Sequence, residues 1–128
     1  MMAQPEDLLT ELQSTLSAER ERLRQELERL KRTRLAGASA YTEDRGYGTH
    51  LADDASGTEQ EEVDLALEHS VGERLTAVDE ALRRFEHGKY GACERCGTDI
   101  APDRLRAVPW ASLCIECQTK KEKATGHA

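Results

Sequence analysis

The chain has four cysteines, and they come as two pairs with the same gap: Cys93 and Cys96 in "CERCG", then Cys114 and Cys117 in "CIEC". The full pattern is C-x2-C-x17-C-x2-C. A two-residue gap in a tight turn lets both sulfurs of a pair face one point, and two such pairs supply the tetrahedral set that zinc takes in closed structural sites. Gly97, directly after the second thiol, suits a turn whose backbone must adopt an unusual conformation. A disulfide pairing fits poorly with a chain whose start, "MMAQPEDLL", lacks the charged-then-apolar layout of an export signal. A thioredoxin-like couple would need a βαβ setting and would explain one pair only. The residues therefore favour one zinc per chain, held by Cys93, Cys96, Cys114 and Cys117, over an iron–sulfur cluster. With four protein thiolates no position stays open for water, so such a metal is structural and not catalytic.

The elements around this cluster are helical. From Pro5 to Ala36 there is no glycine, and Leu9, Leu16, Leu23 and Leu30 recur every seven residues, with Leu12 and Leu27 at a second seam position. A second run, Val71, Leu75, Val78, Leu82 and Phe85, preceded by Leu67, keeps a 4-3-4-3 spacing. Gly37 reads as the stop of the first helix, Thr58 with Glu61 as a capping box for the second, and Gly88 as its C-terminal cap. Helices over about 6–36 and 58–87 would each be ~45 Å long. Neither buries its stripe alone, so the spacing predicts an antiparallel coiled-coil hairpin over 1–87, with pairing to a second chain as the alternative. In the hairpin Leu82 lies toward the Leu9 end and the chain can be a monomer. Residues 88–128 form the small four-cysteine zinc finger with a short C-terminal helix, and the fold class is mainly α.

Between the helices lies "ASAYTEDRGYGTHLADDASG", residues 38–57, long for a connection inside a compact domain. The formal net charge of −7 concentrates there: residues 37–69 carry nine acids against Arg45 alone. The hairpin tip is thus expected to be acidic and exposed, a surface that repels nucleic acid and suits a basic protein or a bound cation. Residues 88–128 sum to +2, which four thiolates with one Zn²⁺ would cancel. His50, His69, His87 and His127 share no ligand spacing with the cysteines and read as surface residues, with His50 the one to watch. Trp110 is expected to pack against the metal module. "KKEK" at 120–123 reads as a solvated helix end, too short for a nucleic-acid arm. An apolar fraction of 38% and a single Phe and Trp fill a thin seam more readily than a thick core. No stretch approaches a membrane span, and the chain is expected to be cytoplasmic.

The stretch "YGACERCGTDIAPDRLRAVPWASLCIECQ", residues 90–118, closely resembles the C4 zinc finger of the DksA/TraR family of bacterial transcription regulators. Tyr90-Gly91, Cys93, Cys96-Gly97, Ile100, Arg104-Leu105, Ala107, Pro109 and Leu113–Gln118 carry the likeness, and an acidic hairpin before the finger matches the longer members. The resemblance implies a protein that binds RNA polymerase without recognising promoter DNA, enters its secondary channel hairpin first, and modulates initiation through the tip. In the best-known members of the family the tip reads D-x-x-D-x-A. Here Asp53 falls on the second Asp and Ala55 on the Ala, with His50 at the first. "THLADDASGTE" is similar to the H-P-A-D tip variant, with Leu51 in place of proline. The tip residues so implied are His50, Asp53, Asp54 and Ala55, and guanosine tetraphosphate at the polymerase interface is a candidate co-ligand.

Three functions compete. The first is a regulator with no turnover of its own, hence not an enzyme. The second is a secondary-channel factor whose Asp53 and Asp54 help a polymerase-bound metal cleave transcripts. The third is a zinc-finger nucleic-acid-binding module, which the acidic balance and the near-neutral finger disfavour because duplex affinity rests on phosphate neutralisation by Lys and Arg.

Overall fold

A computed structural model describes the backbone of residues 4–44 and 51–125, and the side chains there except those of 38–44 and 51–58. Among the described residues four helices follow in order: α1 (Glu6–Asp44), α2 (Leu51–Glu86), α3 (Pro102–Ala107) and α4 (Ile115–Ala124). The extended part of the described fold is an antiparallel bridge, Ala92 with Asp99. No helix among the described residues is long and apolar enough to cross a membrane.

The two long helices run antiparallel, as two ion pairs show. Arg20 meets Asp79, and further along α1 Arg34 meets Glu68, earlier on α2. The helix ends differ from the sequence expectation. Gly37 does not stop α1, which continues to Asp44, and α2 starts at Leu51, so Thr58 lies inside it and not at its cap. A lone glycine costs a helix only about 1 kcal/mol against alanine, and Ala36, Ala38 and Ala40 around Gly37 are strong helix formers. Asp53 and Asp54 fall at the start of α2, where the helix dipole favours negative charge. The stretch 38–57, expected as a loop, is largely helix, and only 45–50 fall between the two helices. His50 lies outside the described residues. The backbone of Asp53, Asp54 and Ala55 is helical, and their side chains are outside the described part. At the other end of α2 the Gly88 cap is as expected. Gly88 takes a φ of 68°, Lys89 N–H donates to Arg84 C=O at 2.8 Å, and Gly88 N–H donates to Phe85 C=O at 3.1 Å, a Schellman closure.

Chain contacts group into two compact units. One comprises Glu21–Leu75. Its apolar seam is thin: Leu23 is buried, while Leu27, Leu30, Val71 and Leu75 are half-buried. Beyond Leu30 the seam turns ionic. Arg34 and Glu68 occupy it, the Glu68 side chain only 10% exposed, and Asp64 and Glu61 add to the field that holds the Arg34 guanidinium charged. Leu67, expected in the seam, is 47% exposed because Glu68 takes that position. Part of the acidic segment is therefore neutralised within the hairpin.

The other unit comprises Met1–Arg20 with Thr76–Ala128. Here the core is wider. Leu8, Leu12 and Leu16 of α1, Val78 and Ala81 of α2, and Tyr90, Ile100, Leu105 and Ala111 beyond them are buried. Leu9, which the heptad reading placed in the seam, is only half-buried, and Leu8 replaces it. The physical reason is that the start of α1 has a second neighbour. Gln4, just ahead of the helix, donates from its amide to Ile100 C=O at 2.6 Å, fixing this end against the finger. A stripe serving two neighbours must be broader than a coiled-coil seam. Leu16→Ala is expected to cost about 2–5 kcal/mol. Leu75→Ala is expected to cost less, since Leu75 still meets solvent. Urea titration of the two variants followed by circular dichroism checks the order.

Candidate metal centre

The first cysteine pair sits on a short turn built from backbone hydrogen bonds. Cys93 N–H donates to Thr98 C=O at 2.8 Å, Gly97 N–H to Cys93 C=O at 2.9 Å, and Ile100 N–H to Gly91 C=O at 2.8 Å. Gly91 and Gly97 supply the left-handed conformations such a turn needs, with φ of 91° and 80°. The second pair sits at a helix start. Cys114 is the N-cap of α4 in an extended conformation, and Cys117 lies one turn in, its own helix backbone closing with Gln118 N–H to Cys114 C=O at 2.9 Å. Two cross-links hold the pairs in register: Glu94 N–H donates to Ser112 C=O at 2.8 Å, and Arg104 Nε donates to Leu113 C=O at 2.9 Å.

The four sulfurs consequently lie within 4.8 Å of one another, with Cys96 Sγ and Cys114 Sγ at 3.8 Å across the pairs. All four are free thiols; Cys93 and Cys117 are buried and Cys96 is exposed. Burial pushes the Cys93 thiol up, but hydrogen bonds from the backbone of Cys114, Cys96 and Arg95 outweigh it and bring the group down to about 6. The Thr98 hydroxyl and backbone lower Cys96. Cys117 goes the other way, up to about 12, through burial and then through the neighbouring sulfurs. Thus, without a cation, two sulfurs are ready to ionise, and Cys117 resists because burial disfavours its charged form and the neighbouring sulfurs add to that. A dication removes that conflict. The donor set, soft and fourfold with no open position, fits zinc in a closed structural role, and one structural zinc per chain is the cofactor.

This imbalance has a measurable consequence. Ligand thiols must lose their protons to bind metal, so acid favours the free thiols and weakens binding. At pH 7 Cys93 is already mostly deprotonated and Cys117 is not. Calorimetry in buffers of different ionisation enthalpy is expected to count fewer than four protons released per zinc at pH 7. The number should rise as pH falls through about 6.

The module is tied to the long helices by an aromatic and a cation. The rings of Phe85 and Tyr90 stack with centroids 3.9 Å apart, and Tyr90 Oη donates to Pro109 C=O at 2.7 Å. Burial raises the Tyr90 phenol to about 12, with the Arg84 charge opposing, so it remains a donor. Arg84 Nη2 donates to Ala111 C=O at 3.1 Å. Trp110, expected to pack on the module, is half-buried, and its carbonyl lies 3.5 Å from the same guanidinium nitrogen. Sequence reasoning missed Gln4 and Arg84. A glutamine before a helix and an arginine in a charged run carry no signal of their own. His69 and His87 are exposed.

Comparison with known proteins follows the same outline. Residues 88–123 match the prokaryotic dksA/traR C4-type zinc finger. The RNA polymerase-binding transcription factor DksA of Escherichia coli (strain K12) is 34% identical over 84 residues, covering 58% of this chain and 56% of that one. General stress protein 16O of Bacillus subtilis (strain 168) is 34% identical over 77 residues, 60% of this chain and 47% of its own. Each of these matches spans only about half of the relative's length. The solved structure of transcription factor DksA2 from Pseudomonas aeruginosa is similar over 98% of this chain and 95% of that one, at 31% identity and a TM-score of 0.58.

Proposed function

We propose, from the premise that this chain belongs to the DksA/TraR family of C4-type zinc-finger proteins, that it is a bacterial transcription regulator that binds RNA polymerase. The observation that carries the reading is the extent of the structural likeness to DksA2. It takes in 98% of this chain, both long helices as well as the finger, so the likeness is not confined to a metal module that many proteins could share.

On this reading the division of labour follows the two parts of the chain. Cys93, Cys96, Cys114 and Cys117 hold the zinc, which folds residues 88–128 and does no chemistry on a substrate. Residues 1–87 form the hairpin that enters the secondary channel of the polymerase. Its tip, with His50, Asp53, Asp54 and Ala55, meets a basic surface or a metal near the polymerase active centre and alters initiation there. The regulator turns nothing over, works in the cytoplasm as a monomer and reads no promoter sequence. A guanosine tetraphosphate effect would arise at the polymerase interface. The ionic closure of Arg34 on Glu68 supports this use of the hairpin, because it neutralises an acid within the seam, and Asp53 and Asp54 lie earlier along α2.

Capture of purified RNA polymerase on the immobilised zinc-loaded protein tests the reading, with a known secondary-channel factor as competitor. Retention that the competitor displaces is expected. Polymerase that is not retained would reduce the protein to a zinc-stabilised interaction module with another target.

A further inference from the structure

Cys96 is the exposed member of the four, and its sulfur meets the Thr98 hydroxyl at 2.9 Å. Thr98 holds the same turn a second way, since its carbonyl accepts the Cys93 N–H at 2.8 Å. One residue therefore holds both cysteines of the first pair, Cys93 through its backbone N–H and Cys96 through its thiol. A metal-bound thiolate has no proton to give, so in the loaded site the hydroxyl must be the donor.

We propose that Thr98 is a positioning residue of the metal centre, whose hydroxyl anchors the Cys96 thiolate and thereby governs how fast zinc leaves. The inference rests on the reading that these four cysteines are the zinc ligands. A buried ligand is shielded from water and chelators, whereas Cys96 meets them directly, so loss of metal begins at this sulfur. A hydrogen bond to the thiolate lowers its tendency to take up a proton or leave the metal for another partner. Groups that orient metal ligands in this way typically change affinity 10–100-fold when removed. The carbonyl bond to Cys93 does not depend on the side chain, and Thr98 is exposed, so a change there spares the turn.

The test compares zinc-loaded wild type, Thr98→Val and Thr98→Ser. Valine keeps the branched shape without the hydroxyl, and serine keeps the hydroxyl. Zinc transfer to excess 4-(2-pyridylazo)resorcinol is expected to run about tenfold faster in Thr98→Val and close to the wild-type rate in Thr98→Ser. In the cobalt-loaded proteins the thiolate-to-metal absorption should shift to longer wavelength in Thr98→Val alone, because the sulfur lone pair loses its stabilising donor. Equal release from wild type and Thr98→Val, or release from Thr98→Ser as fast as from Thr98→Val, overturns the inference while leaving the zinc site intact. Wild-type protein that folds without binding zinc overturns both the inference and the ligand reading beneath it.

Discussion

Replacing the buried Cys117 by serine is expected to release the zinc and abolish the tertiary structure of residues 88–128, while most of the helical signal survives. Structural zinc contributes on the order of 10–16 kcal/mol to modules of this kind, comparable to the whole net stability of an ordinary domain. The finger has little to replace it. Among the described residues its buried apolar side chains are Tyr90, Ile100, Leu105, Pro109 and Ala111, besides the ligands Cys93 and Cys117. Near-ultraviolet dichroism and Trp110 fluorescence should change strongly, and far-ultraviolet dichroism little, because the helical content lies mainly in α1 and α2. The loss should also reach the first turns of α1. Gln4 holds the Ile100 carbonyl, and Leu8 and Leu12 are buried in the same unit as the finger. Amide exchange in those turns should accelerate with zinc loss, while exchange around Leu23 should not. A Cys117→Ser protein with no zinc and unchanged near-ultraviolet dichroism would show that the apolar core suffices without metal.

The second large effect is expected where no stability is at stake. Asp53 and Asp54 precede the seam, which among the described side chains runs from Asp64 to Phe85 on α2, so replacing them is expected to spare the core. Surface substitutions of this kind usually change stability by within about 0.5 kcal/mol. Asp53→Asn with Asp54→Asn keeps size and polarity and removes two negative charges. If the tip meets a basic pocket or a metal in RNA polymerase, the regulatory effect should fall strongly, and polymerase binding less, since the helices and finger keep their contacts. His50→Asp, which restores the commoner acidic tip, should change the size or direction of the effect. Open-complex lifetime in a purified transcription system, at matched occupancy, measures all three. Equal lifetimes for wild type and both variants would make the tip a solvated helix start and nothing more.

Much of this protein can be read from the spacing of its residues. Two cysteine pairs with two-residue gaps determine a closed fourfold thiolate site because the ligand geometry of a turn is local. The seven-residue recurrence of Leu16 and Leu23, and the run through Val78, determine two helices that need each other, because a helix presents one face at that period. Gly88 determines where α2 ends, since its φ of 68° is open to glycine and costly to others. Gly37 looks like a stop and is passed over for a reason that is still local, since one weak helix former cannot outweigh the residues on both sides. The tertiary structure decided the rest. Leu67 looks like core and is exposed, because Glu68 pairs with Arg34 across the hairpin. Leu8 displaces Leu9 because the finger, more than eighty residues away in sequence, gives α1 a second neighbour. Thr98, Gln4 and Arg84 owe their roles to the groups that the fold brings within hydrogen-bond reach. Periodicity and ligand spacing are properties of a segment, whereas these choices depend on contacts between segments, which exist only once the chain has folded.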